Sequence, residues 1–290
     1  MSSEVTDDRP AARRLWAAAE AVHAVTYFHP VCLEAMSEAG TKGFWMGYFV
    51  GRMAPLGAVG AAVAEAVAFG FSPERPTRAL PDGWGYVDPA TAVRVRSEAA
   101  ASALRELGVA EPATSTLEAL ATMRSAGRVG GHPLGAANRG LDLADHPLER
   151  LWQLVTWLRE QRGDDHVALW VGYGCDGCEA SVLTTAIHAQ DPDVLRSSRA
   201  WSPDDWDTAA QRLVARDLLE PAGPDRWSPT PTGRQLHAAV ESHTDRLTTA
   251  MAADHDIEAL VDDLTHLADP ILDAGIYPSP NPMGLPIPTR

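Results

Sequence analysis

Cysteine is scarce here: Cys32, Cys175 and Cys178 are the only three in 290 residues. That is too few for a disulfide framework and fits a reducing compartment. Lysine is scarcer still, with Lys42 alone. Basic residues total 24 against 39 acidic, a formal net charge of −15. Such a charge keeps a chain soluble and repels nucleic acid at long range. No apolar run approaches the ~18 residues of a membrane span. The opening MSSEVTDDRPAARR lacks a basic segment followed by an apolar core, so no secretory signal is read there and a cytoplasmic location is expected. P-loop, GxGxxG, GxSxG and HExxH motifs are all missing, so nothing names a cofactor or a metal, and neither is expected.

What is present is mostly helical. Trp16, Ala19, His23 and Tyr27 recur at helical spacing over 11–28, and Pro30 marks the exit. Further helices are expected near 31–39, 55–69, 90–107, 117–126 and 147–162. The stretch GRVGGHPLGAANRG reads as a glycine-rich loop, and Gly163-Asp164-Asp165 as a turn before His166. Helical patterns resume through 167–173 and 178–189, and again over the acidic 252–274. The tail IYPSPNPMGLPIPTR holds five prolines and should be extended or mobile. Residues 1–9 are polar and should fray.

The segment 202–247 has a distinct layout. A helix opening SPDDWD runs to a LVARDLLE exit. A short wing around Asp225, Arg226 and Trp227 follows, and TPTGRQL then opens a long helix with Leu236, Val240 and Leu247 on one stripe. That is a winged helix-turn-helix. Its expected recognition helix, however, begins with Asp204, Asp205 and Asp207 against Arg212 and Arg216, where phosphate contact calls for cations. Leu15-Trp16, Gly47-Tyr48 and RALPDGW in the first half echo Leu151-Trp152, Gly172-Tyr173 and RAWSPDDW in the second. Either chance or a degenerate duplication of one winged-helix-like unit accounts for the echo. The expected organisation is a first winged-helix-like unit at 10–110, a linker with the glycine-rich loop at 111–146, a winged-helix unit at 147–274 and the tail at 275–290.

RLVARDLLE and TPTGRQL resemble the MarR superfamily, and the resemblance implies a winged helix more strongly than it implies DNA binding. HAVTYF at 23–28, GFWMGYFVGRMAPLG at 43–57 and LREQRGDDHVA at 158–168, with the winged segment, resemble the actinobacterial SalK-like helix-turn-helix proteins over nearly the full length. That resemblance implies a fold and names no reaction.

Candidate chemistry clusters around the first of these motifs. His23 and Tyr27 are four apart on one helical face, and together offer a proton donor and acceptor near neutral pH. The plainer reading of His23 is a core histidine with Tyr27 as packing. Arg52 lies in the apolar run YFVGRMAPLG and must be paired, by Glu65, Glu179 or an anionic ligand. His166 is either a helix cap or a pocket histidine opposite His23. His29, before Pro30, reads as a surface or capping residue. Cys175 and Cys178 form a lone CxxC with no second ligand pair, for which small core packing is the first reading, ahead of a metal or redox site. Trp45, Tyr48 and Tyr173 supply aromatic walls of the kind a small-molecule pocket or an ordinary core would use.

The expected protein is a mostly α fold of two winged-helix-like units, with an aromatic pocket between them built from 23–28, 45–52 and 166–179. His23, Tyr27 and His166 are the candidate acid–base residues, and Trp45, Tyr48, Arg52, Tyr173 and Glu179 the substrate contacts. The expected function is the handling of an aromatic or polyketide-like molecule of secondary metabolism, by an isomerase, cyclase or lyase. The alternative is a ligand-responsive MarR-like regulator. The expected partner is a small molecule, with neither nucleic acid nor a membrane, and the expected state is a monomer or homodimer.

Overall fold

A computed structural model describes residues 7–223, 226–252, 255–281 and 283–285. The fold is mostly helical, and its one sheet among those residues is a two-stranded hairpin. Ala11–His23 (α1) and the single turn Val25–Phe28 (α2) meet at a kink, and Pro30–Glu38 (α3) follows. Leu15, Ala19 and Val22 bury one stripe of α1, and its many alanines let neighbours approach closely. Gly43–Met53 (α4), Ala61–Val67 (α5) and Glu74–Ala79 (α6) form a small cluster. The side chain of Asp88 then caps Pro89–Glu106 (α7) by accepting from the Thr91 amide. Thr114–Ala126 (α8) comes next. A short helix, Pro133–Arg139 (α9), stands where the glycine-rich stretch was expected to be loop.

The largest departure is Pro147–Gly172 (α10), one helix of 26 residues. The expected turn at Gly163-Asp164-Asp165 does not form, because both carboxylates find partners in place. Asp165 accepts from His132 at 2.8 Å, and Asp164 from the Gly135 amide at 2.8 Å. Both contacts come from α9 and the residue before it, so the glycine-rich segment folds onto the run that looked like a turn. Burial raises the Asp164 carboxyl to about 6.

Gly177–Ile187 (α11), Pro192–Arg199 (α12) and Pro203–Ala215 (α13) lead into the antiparallel strands Leu219–Gly223 (β1) and Arg226–Pro229 (β2), in which Leu219 pairs with Pro229 and Pro221 with Trp227. Asp225, expected in the wing, lies outside the described residues. Pro231–Met251 (α14) and Ile257–Asp273 (α15) complete the chain. No hairpin occurs among the described residues of 7–110, so the first half carries no wing to match the second.

Two of the three cores include α10, and an ion pair between Arg52 and Glu160 ties the other to it. The largest joins α1, α7, α8, α10 and α15; a second is built on α4 to α6; the third holds α11, α13 and the hairpin around Trp170. The proline-rich tail, expected to be extended or mobile, is packed where it is described. Tyr277 and Leu285 are buried, and the Tyr277 hydroxyl donates to the Ala21 carbonyl at 2.5 Å. No single helix among the described residues is long and apolar enough to cross a membrane.

Candidate functional site

The helix spacing that places His23 and Tyr27 on one face also aims both rings at α4 and α10. His23 is fully buried. Its Nδ1 lies 2.8 Å from the Thr156 hydroxyl and its Nε2 3.2 Å from the Tyr27 hydroxyl, while its ring stacks on Trp152 at 5.9 Å. Burial, helped by the nearby Arg159 charge, holds the imidazole well below its ordinary range, so it stays neutral. Either tautomer satisfies the row Thr156–His23–Tyr27, since both hydroxyls can donate or accept. Burial raises the Tyr27 phenol, and Tyr48 beside it raises it further.

Arg52, one turn beyond Tyr48 on α4, meets Glu160 through two hydrogen bonds, Nε to Oε1 at 3.0 Å and Nη2 to Oε2 at 3.1 Å. Neither expected partner is used, since Glu160 of α10 takes the place of Glu65 and Glu179. Arg159 lies 2.9 Å from Glu160 and 3.3 Å from Glu20. Burial opposes ionisation of Glu160, but these two guanidiniums overcome it and hold the carboxyl below its usual range. The Arg52 Nη1 also donates to the Tyr48 hydroxyl at 3.3 Å. Burial alone would raise the Tyr48 phenol, yet the surrounding arginines, Arg52 foremost, lower it.

Beside this network is a cavity of about 190 Å³. Tyr27, Tyr48, Arg52 and Arg96 supply its polar wall, Cys32 and Met36 its apolar one, and the half-exposed Leu33 and Phe44 its rim. Gly43, Gly47 and Gly51 recur every fourth residue along α4 and leave the space open. Burial pushes the Cys32 thiol up to about 12, so it is not a ready nucleophile.

The structure therefore brings His23, Tyr27, Tyr48 and Arg52 together, with Trp45 packed 5.7 Å behind Tyr48. It leaves the other three candidates elsewhere, and no residue of 166–179 lines the cavity. His166 does not face His23. Its Nε2 accepts from the Trp170 indole at 2.9 Å and its Nδ1 lies 3.3 Å from the Thr244 hydroxyl. Burial lowers it to about 4. Tyr173 ends α10 with its ring exposed. Glu179 completes a capping box with Asp176 at the start of α11 and accepts from Arg212 at 3.0 Å. His29 is buried rather than at the surface.

Arg96 was missed because AVRVRSEAA reads as an exposed helix face. Cys175 and Cys178 are both free and buried in the third core. No group of three or more His, Cys, Asp or Glu among the described residues is placed to hold a metal.

In the second half α12 and α13 are joined across Ala200, which adopts left-handed φ of 61°. Ser202 and Asp205 form a capping box at the start of α13, and the β1–β2 hairpin follows that helix, the order expected of a winged helix. Residues 12–278 match the model of a helix-turn-helix family. The chain belongs to that family. No curated protein and no solved structure matches the chain.

Within this family member, two of the three aspartates of the expected recognition helix have a local explanation. Asp205 caps the helix, and Asp204 adds a charge favoured at the positive end of the helix dipole. The two arginines of that segment are engaged within the protein. Arg212 binds Asp176 at 2.5 Å, and Arg216 donates to the Tyr173 and Gly174 carbonyls.

Proposed function

We propose that this helix-turn-helix protein handles a compact small molecule in the cavity between α2, α3, α4 and α7, with Tyr27 as its acid–base group. The observation that carries this reading is the row Thr156–His23–Tyr27, which begins at a buried hydroxyl and ends at the cavity wall. The neutral imidazole fixes the direction of the Tyr27 hydroxyl, and a proton that Tyr27 gives to the bound molecule at one position is taken back from it at another. His23 itself does not line the cavity, so it positions Tyr27. Arg52 and Tyr48 orient what is bound. The resemblance to SalK-like proteins supports the pocket, since HAVTYF and GFWMGYFVGRM supply its walls. An apolar cavity of about 150 Å³ holds benzene, so the enclosed space suits one ring, and a polycyclic polyketide would extend through the rim.

Soaking crystals with millimolar single-ring probes tests the reading. Density beside Tyr27 and Tyr48 is the expected result, and density only at other sites overturns it.

One observation favours a second reading, a ligand-responsive regulator. Arg199 closes α12, which in this reading is the first helix of the helix-turn-helix pair. It hydrogen-bonds Tyr48 and lies 4.2 Å over the Phe71 ring. The cavity wall and the helix-turn-helix are thus in direct contact, and family membership points the same way. A mobility-shift series across salt separates the readings, because DNA binding with a steep negative salt slope would make the regulator the better account.

A further inference from the structure

We infer that Arg96 is the anchor for a monoanionic ligand, and that the cavity takes a monocarboxylate with a single-ring or equally compact apolar body. The inference rests on the small-molecule reading of the cavity and names the chemical class it selects. Arg52, the obvious candidate, is already neutralised. Its Nε and Nη2 are both occupied by Glu160 and its Nη1 by Tyr48. Arg159 shares Glu160 and takes Glu20.

Arg96 differs from both. It is buried, 5% exposed, yet no carboxylate among the described residues pairs with it. Its Nη1 donates to the Gly51 carbonyl, and its guanidinium lies 4.8 Å from the Trp152 ring centroid. Its Nε and Nη2 have no acceptor among the described residues, and the residue lines the cavity. A buried guanidinium is costly without a counter-charge. Of the two guanidiniums that line the cavity, Arg52 is matched by Glu160 and Arg96 by no carboxylate, so the lining has a place for one anionic group. A carboxylate matches the fork geometry of the free nitrogens. Tyr27, on the same wall, is placed to donate a further hydrogen bond.

The size follows from the cavity. A cavity of about 150 Å³ holds benzene, and the further space in the 190 Å³ accommodates one carboxylate. The body should be mostly apolar, because Leu33, Met36 and Phe44 offer it no side-chain hydrogen bonds and Thr41 spends its hydroxyl on the Met36 carbonyl, which leaves Thr26 and Ser37 as the other hydroxyls of the lining.

The experiment is calorimetric titration of the full chain with benzoate and with benzamide, which has nearly the same shape and no charge. Wild type should bind benzoate at least tenfold more tightly. Arg96→Gln should erase that preference, and Arg96→Lys should retain part of it. Equal binding of acid and amide by wild type, or a preference that survives Arg96→Gln, overturns the anchor while leaving the pocket reading intact. Binding of neither probe at millimolar concentration overturns both. If Arg96→Gln does not fold, the acid-to-amide ratio of wild type and of Arg96→Lys decides.

Discussion

Arg52 and Glu160, 108 residues apart in the chain, clasp each other through two parallel hydrogen bonds in the interior. Glu160 also holds Arg159, so a single carboxylate organises α4 against α10. Removing its charge leaves Arg159 with Glu20 alone and Arg52 with no carboxylate. Glu160→Gln should cost roughly 3–5 kcal/mol, the range for breaking a buried pair from one side. Urea denaturation checks this, and a loss below 1 kcal/mol would mean that the pair is solvated.

His23 gives the protein a signed pH dependence. Its folded-state pKa is depressed by burial from an ordinary 6.5. The stability it contributes is therefore present above about 6.5 and is lost as pH falls from there toward the folded value. The slope is up to about 1.4 kcal/mol per pH unit. Asp164, raised to about 6, acts in the opposite sense and adds stability as pH falls toward 4. The measurement is therefore a difference: between pH 6.5 and 5, His23→Gln should lose less stability than wild type. Parallel curves would show that His23 charges in the folded state.

Gly51 keeps α4 clear of Arg96. A Cβ there would meet the Arg96 Cδ and Met36 Cε at 3.7 Å, an ordinary contact. Gly51→Ala should gain about 1 kcal/mol of helix stability, or about 2 °C in Tm for a chain of this length. The same methyl intrudes on the cavity, so benzoate affinity should fall. A variant that melts higher and binds as well as wild type would place the ligand elsewhere.

Two other glycines tolerate no such change. A Cβ at Gly177 would sit 1.7 Å from the Phe69 carbonyl oxygen, and one at Gly233 2.1 Å from that of Leu218. The first contact seats α11 on the α5–α6 connection, and the second seats α14 on the entry to the wing. Gly177→Ala and Gly233→Ala should each cost about 3 kcal/mol or more, because backbone and not a flexible side chain must move. Thermal melts check both, and a neutral Gly177→Ala would mean that the two segments are not in contact.

The helix–hairpin–helix order of 202–247 was legible because its signals are local. Ser202-Pro203 and Thr230-Pro231 each pair a capping side chain with a proline at the first helical position. Gly233 marks a close approach three residues later. The pocket was half legible: the spacing of His23 and Tyr27 and the isolation of Arg52 in an apolar run pointed to it. Its other half was hidden in α10. That helix is buried on several sides, so its apolar residues follow no single stripe; Gly163-Asp164-Asp165 read as a turn, and nothing local marks Arg159 and Glu160 as buried. The charge that resolves Arg52 thus came from a segment that looked like surface. Arg96 was hidden for the same reason. The aspartates of α13 misled in the opposite direction, since charges that argued against DNA also serve the helix start.

The unbroken α10 has a consequence for how the molecule comes apart. A chain of 290 residues would ordinarily melt in stages, one core after another. Here one rod about 39 Å long carries Thr156 and Glu160 at its middle and Trp170 near its end; two cores are built on it, and Glu160 ties the other to it through Arg52. Calorimetry should record a single endotherm, with the wing and the pocket lost together.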